Sequence, residues 1–451
     1  MPFIRSVSGL RATTADCLPE ETIKKYASAF HALCPAGAIA VGRDGRPSGA
    51  SISEIIIDEL VRQGRRVHSL GIVPTPTVQL FAERDGFAGG IAVTASHNPS
   101  QWNGLKFINA NGVFLNKEEN IQLWQIVDSD SPLPEASAGG ERIDSPDPIG
   151  QHIQKIFDIG LFPESALSKI AVMKLRAVVD AVNSSGSVAV PRLLRRLGIE
   201  PIELYCDSSG NFPHTPEPLP QNLTELADRT KADKADFGIA VDPDADRLVL
   251  IDENGTPIGE EKTIAIAVES VLSSDKYSSK TNTVVVNHST TRLVEDIAEK
   301  HSSVAYRSAV GEINVVEKMK ATNAVVGGEG SGGVILSECH YGRDSLVGIA
   351  LLADLVCRSG LKLSEITAQF PAYEMVKLKK EFHGDFSRIA EEVKRRFPHD
   401  ELNTEDGIKI IRQRSWAQLR TSNTEPIVRA IAEAPTREEA AELAQSLLDL
   451  C

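Results

Sequence analysis

Several features are scarce in this 451-residue chain, and each scarcity excludes a class of protein. Cysteine occurs six times, at positions 17, 34, 206, 339, 357 and 451, with no CxxC pair. Neither a zinc site nor a disulfide framework is indicated, and reduced thiols are expected. No apolar run reaches the roughly 18 residues of a membrane span. The opening residues, MPFIRSVSGLRATTADCLPE, lack the apolar stretch of a secretory leader, so the expected compartment is the cytoplasm. No basic block interrupts a net charge of −14, which disfavours nucleic acid and anionic membranes as partners. A small anionic substrate would therefore need a locally cationic pocket, with arginines on glycine-rich loops.

The length allows about three or four domains. An apolar strand, a small polar loop and an amphipathic helix recur in AIAVGRDGRPSGASISEIIIDELVRQG, LRAVVDAVNSSGSVAVPRLLRRLG and TVVVNHSTTRLVEDIAEK. In the first, a strand is expected over 38–42, with Ser51 and Glu54 forming a capping box and Gly64 stopping the helix. The alternation implies α/β domains with parallel strands. Residues 128–148, rich in Ser, Pro, Gly and Asp, read as a linker. After Gly360 the pattern changes to strands with a final helix, a smaller α+β domain. The expected fold is three similar mixed α/β domains over 1–145, 146–255 and 256–368, with a C-terminal α+β domain over 369–451, around a central cleft.

Four stretches can carry chemistry. GGIAVTASHNPSQWNGLKF, residues 89–107, runs a strand into Ser96, at the carboxyl end where functional loops of parallel sheets lie. Ser96 is either a nucleophile or a turn serine; pairing with His97 is disfavoured because adjacent side chains diverge in extended chain. FGIAVDPDADRLVLIDENG sets Asp242, Asp244 and Asp246 at alternate positions. Three carboxylates so close suit Mg²⁺ or Ca²⁺. Arg247 at the sixth loop position, and a strand where a calcium loop would continue, argue against an EF-hand. A solvated acidic turn is the plain alternative. VVGGEGSGGVIL matches GxGxxG, but a strand follows and Glu329 would repel pyrophosphate. Glu329 and Ser331 suit sugar hydroxyls, or the loop is a tight turn. QLRTSNTEPIVRA brackets Thr421, Ser422, Asn423 and Thr424 with Arg420 and Arg429, a phosphate cradle or a polar turn. Nucleophile, metal, hydroxyl reader and phosphate clamp together describe phosphoryl transfer on a phosphosugar.

TASHNPSQWNGLK, DPDADR, GEGSGG and RTSNTEP resemble, in order and spacing, the four signature loops of the α-D-phosphohexomutase family. The resemblance covers nearly the whole chain. It implies a phosphoserine at Ser96, Mg²⁺ on Asp242, Asp244, Asp246 and a phosphoserine oxygen, and sugar contacts from Glu329 and Ser331. It implies a distal phosphate clamp of Arg420, Ser422, Asn423, Thr424 and Arg429. Arg11 and Lys106 match cationic positions near the reacting phosphate, Lys106 being a candidate general acid/base, and Arg247 would contact the phosphoryl group or the serine loop. The implied activity interconverts hexose 6-phosphate and hexose 1-phosphate through a hexose 1,6-bisphosphate, in a monomer or homodimer. Pro243 departs from a common glycine. Gly333 stands where many bacterial members carry a histidine, leaving Lys106 and His97 as proton carriers. His340 is a possible substitute, and Arg343 and Asp344 beside it are possible sugar or phosphate contacts. The expected sugar is glucosamine phosphate, narrowly, over mannose and glucose phosphates. A phosphatase, a non-catalytic sugar-phosphate binder and a calcium-stabilised structural protein are the competing readings.

Overall fold

Short runs such as Ala-Ile-Ala-Val and Ala-Val-Val are apolar on both faces, which suits strands buried between helices. The computed structural model describes residues 3–6, 9–13, 18–129, 134–278, 282–422 and 426–451. Its first sheet has seven strands in the order Phe3–Ser6, Gly9–Thr13, Trp102–Asn109, Phe87–Val93, Ala38–Arg43, Arg66–Ile72, Glu141–Asp144. The second runs Leu248–Asp252, Phe237–Val241, Arg176–Asp180, Glu200–Tyr205, and the third Val304–Ser308, Thr283–Asn287, Val326–Glu329, Gly333–Leu336. The fourth, entirely antiparallel, holds five strands and carries the terminal helix Arg437–Leu448.

The first three sheets, mixed as expected, share one antiparallel feature beside their parallel strands. In each, a central parallel strand turns back through a hairpin into an antiparallel neighbour. Ser96, the three aspartates and Glu329 with Ser331 all occupy this hairpin, the same point of three similar units.

Two local expectations fail for identifiable reasons. The first amphipathic helix spans Pro47–Arg62, with Arg46 at its N-cap. Proline is pre-set for the first helical turn, so the helix begins before Ser51. Ser51 is therefore interior, and its Oγ donates to the Ser48 carbonyl at 3.1 Å instead of capping. Within the expected linker, Glu141–Asp144 pairs parallel with Arg66–Ile72 as the seventh strand. A short, mostly exposed edge strand has no apolar alternation to reveal it.

One apolar core runs through the first three units, from Ala40 and Val78 through Leu193 and Ile239 to Val284 and Leu346. The helix Ser345–Ser359 lies inside it, packed on Glu260–Leu272 and Gly186–Leu197. The C-terminal unit has its own core around Ile408, Leu419 and Leu447.

The second and third sheets meet edge to edge where Leu248 N donates to the Gly332 carbonyl at 2.9 Å. Gly332 has φ +88°, and a Cβ there would lie 2.5 Å from the Leu248 carbonyl oxygen. Gly332→Ala should therefore cost about 2–4 kcal/mol, read as a lowered thermal midpoint.

Candidate active site

Antiparallel pairing brings distant positions together before any tertiary contact forms. Lys106 lies opposite Ala92, and Arg11 opposite Gly104. The strand Phe87–Val93 delivers Ser96, which is buried and has φ +51°. This left-handed conformation is uncommon outside glycine, and it redirects the side chains that follow. Ser96 Oγ consequently lies 3.4 Å from His97 Nδ1, despite the divergence expected of neighbours, and donates to Asp242 at 2.9 Å.

A network that motif reading missed holds this conformation. Arg46, fully buried, pairs with Asp44 and donates to the Ser96 carbonyl at 2.7 Å and to the Asn98 carbonyl. Thr94 Oγ1 donates to Asp44 at 2.7 Å and accepts from Ser96 N at 2.9 Å. Arg11 donates to the Asn98 side chain at 2.8 Å. The signal was present in GRDGRPSG, as an acid and an arginine two residues apart.

Asp242, Asp244 and Asp246 are buried, with ligand oxygens all within 4.8 Å of one another. Lys106 Nζ contacts Asp244 at 2.6 Å and Asp246 at 3.0 Å, Thr75 donates to Asp244 at 2.6 Å, and Arg343 reaches Asp246 at 2.8 Å. One oxygen each of Asp244 and Asp246 is buried without a hydrogen-bond partner. Three converging carboxylates, two with an unsatisfied oxygen, fit a divalent cation such as Mg²⁺. Pro243 fits as well: its carbonyl accepts from the Ser184 and Ser185 hydroxyls at 2.6 and 2.8 Å.

Burial, then repulsion from Asp246 and Asp244, pushes the Asp242 carboxyl well above its usual range. Burial acts on Asp246 too, but Arg343, Lys106 and Arg247 outweigh it and hold that carboxyl low. Burial opposes the charge on Lys106, yet Asp244 and Asp246 raise its affinity for the proton. His97 goes the other way: Arg247 first, then burial and Arg11, keep its imidazole neutral.

Arg343 holds the sugar loop to the metal loop. Its guanidinium meets Glu312 at 3.0 Å, Glu329 at 2.8 Å and Asp246 at 2.8 Å. Its stem crosses Gly333 so closely that a Cβ there would lie 2.2 Å from Arg343 Cδ. The departure at Gly333 thus has a steric reason: arginine occupies the space of any side chain. Glu329 also accepts from Asn287 at 2.8 Å and from Gly311 N at 3.0 Å, while Ser331 lines the cleft. Glu312, which the sequence reading passed over, accepts from Gln79 at 3.1 Å. His340 and Asp344 serve elsewhere. Asp344 caps the helix Ser345–Ser359 and accepts from His152 at 2.8 Å and His340 at 3.1 Å, so this buried group does not line the cleft.

At the far end, Arg420 and Arg429 lie directly opposite on paired strands. Opposed like charges are unfavourable, and Asp406 lies 3.8 Å from Arg420 as a counter-charge. Arg420 Nε is buried without a hydrogen-bond partner. Ser422 N donates to the Ile427 carbonyl at 2.9 Å; Asn423 and Thr424 lie outside the described residues. A single cleft is lined by Arg11, His97, Lys106, Arg247, Glu329, Ser331, Arg343, Arg420 and Arg429.

Comparison with known proteins follows this division. The phosphoglucomutase/phosphomannomutase alpha/beta/alpha domains I, II and III match residues 4–133, 152–255 and 260–373, and the C-terminal domain of the same family matches 372–450. A probable phosphoglucosamine mutase of Methanopyrus kandleri is 31% identical over 448 residues, covering 98% of this chain and 96% of the relative. A phosphoglucomutase/phosphomannomutase of Thermococcus kodakarensis is 35% identical over 410 residues, 90% of this chain and 87% of the relative. Among solved structures, a phosphoglucomutase/phosphomannomutase family protein of Burkholderia thailandensis superposes with a TM-score of 0.85 at 26% identity, covering 99% of this chain and 96% of that one. An N-acetylphosphoglucosamine mutase of Aspergillus fumigatus shares the fold, with a TM-score of 0.60 at 15% identity over 100% and 95% of the two chains.

The raised Asp242 carboxyl sets a sign. The folded, metal-free protein binds a proton there more tightly than the unfolded chain does, so this contribution to stability is lost as pH rises above the ordinary carboxylate range. Its slope is at most about 1.4 kcal/mol per pH unit. In EDTA, wild type should lose stability relative to Asp242→Asn as pH rises above the ordinary carboxylate range, read in denaturant titrations. Mg²⁺ should restore wild type, and the variant should bind Mg²⁺ about 10-fold or more weakly by calorimetry.

Proposed function

The chain belongs to the phosphoglucomutase/phosphomannomutase family, and from that membership we propose that it is a phosphoglucosamine-preferring mutase acting through a phosphoserine at Ser96. The chain is a phosphohexomutase, an isomerase. The observation that carries the finer reading is the 2.9 Å contact of Ser96 with Asp242 across two units, within a cleft whose far end holds the Arg420–Arg429 pair. One end suits the transferring phosphoryl group, the other the phosphate that stays on the sugar.

In the first transfer, the bond from phosphorus to Ser96 Oγ breaks as the bond to the sugar oxygen forms. The product is a hexose 1,6-bisphosphate, which turns end for end before its other phosphate returns to Ser96. Phosphoryl transfer is mainly positioning and charge compensation, which the arginines provide. Asp242, Asp244, Asp246 and an oxygen on Ser96 would hold Mg²⁺, which when bound supplies positive charge at the transferring group. The sugar hydroxyl must lose a proton and the departing serine oxygen must gain one. His97, held neutral, is the acceptor, and Lys106, held charged, is the donor. Such assistance is worth about 10²–10⁴ in rate. Glu329 and Ser331 address hydroxyls that glucosamine, mannose and glucose share, so the same core supports all three sugars.

Relatives named as probable phosphoglucosamine mutases, matched over nearly the full chain, support the sugar reading. The Thermococcus kodakarensis relative favours a second one, a dual phosphomannomutase/phosphoglucomutase. No helix among the described residues is long and apolar enough to cross a membrane, which fits the proposed cytoplasmic setting.

Incubation with glucose 1,6-bisphosphate should add one phosphate to wild type and none to Ser96→Ala by intact mass. The variant should lose about 10³-fold or more of kcat. The sugar is tested by kcat/KM on glucosamine, mannose and glucose phosphates; equal values on all three would replace the first reading with the second. In pH–rate profiles, His97→Ala should remove the acidic limb and Lys106→Ala the alkaline limb, each at a loss of about 10²–10⁴.

A further inference from the structure

Among the described residues, five carboxylates line the cleft, and four of them are already engaged. Glu329 is held by Asn287, Gly311 N and Arg343; Glu312 by Gln79 and Arg343; Glu260 and Glu261 share Lys377 at 3.0 Å each. The fifth is Glu217. Among the described residues, no hydrogen bond or ion pair reaches its carboxylate.

Glu217 is nevertheless placed firmly. It sits half-buried between Pro216 and Pro218, both buried, and proline fixes φ on either side. The Glu217 carbonyl accepts from Leu219 N and from Asn222 Nδ2, each at 2.8 Å. The loop that carries it is pinned at three earlier points. Gly210 N donates to the Asn183 carbonyl at 2.8 Å, and a Cβ on Gly210 would lie 1.9 Å from the Gly45 carbonyl oxygen. The Phe212 ring lies under the Arg46 guanidinium at 5.0 Å. His214 Nε2 meets Asp180 at 2.8 Å. The second unit's loop is thus fastened to the segment supporting Ser96, and it presents one unpaired carboxylate to the cleft.

A substrate bearing phosphate is repelled by such a carboxylate unless it also brings a cation or a hydrogen-bond donor there. The hydroxyls common to the three hexoses have Glu329 and Ser331. The substituent that differs among these sugars is at C2, an ammonium in glucosamine. We propose that Glu217 reads the C2 ammonium of glucosamine phosphate and sets the preference for that sugar. This rests on the sugar reading given above. Turning the bisphosphate end for end exchanges the places of C3 and C4 and moves C2 to where C5 had been. A single fixed carboxylate therefore meets the ammonium in only one of the two orientations, and its effect must differ between the 6-phosphate and the 1-phosphate.

The test is kcat/KM for glucosamine and glucose phosphates in both reaction directions, for wild type, Glu217→Gln and Glu217→Ala, with Mg²⁺ and hexose 1,6-bisphosphate present. A charge-assisted hydrogen bond predicts that the glucosamine-to-glucose ratio falls about 10- to 100-fold in both variants, more in one direction than in the other. In wild type the ratio should also decline as pH passes the amine's own pKa, and it should be flat in Glu217→Gln; this holds as an independent reading should a variant fold poorly. A ratio unchanged in the variants, or a pH-independent ratio in wild type, overturns the role of Glu217 and leaves the glucosamine reading intact. Wild type that turns over glucose but not glucosamine phosphate overturns both.

Discussion

Three aspartates within 4.8 Å of one another, all buried, are the constraint on which the rest of the structure depends. Two unit charges 4 Å apart repel by about 4 kcal/mol at an effective dielectric of 20. The second unit cannot hold them alone. Lys106 arrives from the first unit and Arg343 from the third, so the charges are tolerated only where three units meet. Even then one carboxyl is driven towards its protonated form, and two oxygens stay unpaired. Unpaired buried carboxylate oxygens of this kind fit a cation.

Arg343 carries a second burden. By joining Asp246, Glu312 and Glu329 with one guanidinium, it makes the sugar loop and the metal loop a single rigid object. Its path leaves room for nothing but glycine at position 333. On the opposite wall, Arg46 does similar work for the serine loop, holding Ser96 in a left-handed conformation through the carbonyls on either side of His97. In both places a buried arginine satisfies several acceptors that would otherwise be left unpaired in the interior.

The C-terminal unit is attached by different physics. The first three units share a continuous apolar core, whereas the fourth meets the third through polar contacts. Lys409 donates to the His288 carbonyl, Ser289 to Gln418, Val310 N to Asp406, and Lys377 reaches Glu260 and Glu261. Burial pushes the Glu261 carboxyl up to about 7, against the pull of Lys377. Interfaces of this polar kind separate at lower cost than apolar ones. That suits a cleft which must admit a substrate and release a product.

The amino-acid order by itself determined the α/β character of the chain, the four chemical loops and the residue types each loop offers. These are local properties: apolar runs, turn residues, and acids or arginines close in sequence. It did not determine the start of the helix at Pro47, because one proline outweighed a plausible serine cap. Nor did it reveal the edge strand Glu141–Asp144, which has no apolar face to announce it. Tertiary structure alone decided that Ser96 reaches both Asp242 and His97, that Arg343 fills the space over Gly333, and that Asp344 turns away to cap a helix with His340 bonded to it. It also decided which cleft carboxylates are paired and that, among the described residues, Glu217 is not. Those outcomes depend on charges and side chains brought together from positions up to hundreds of residues apart, and no local pattern encodes which of them meet.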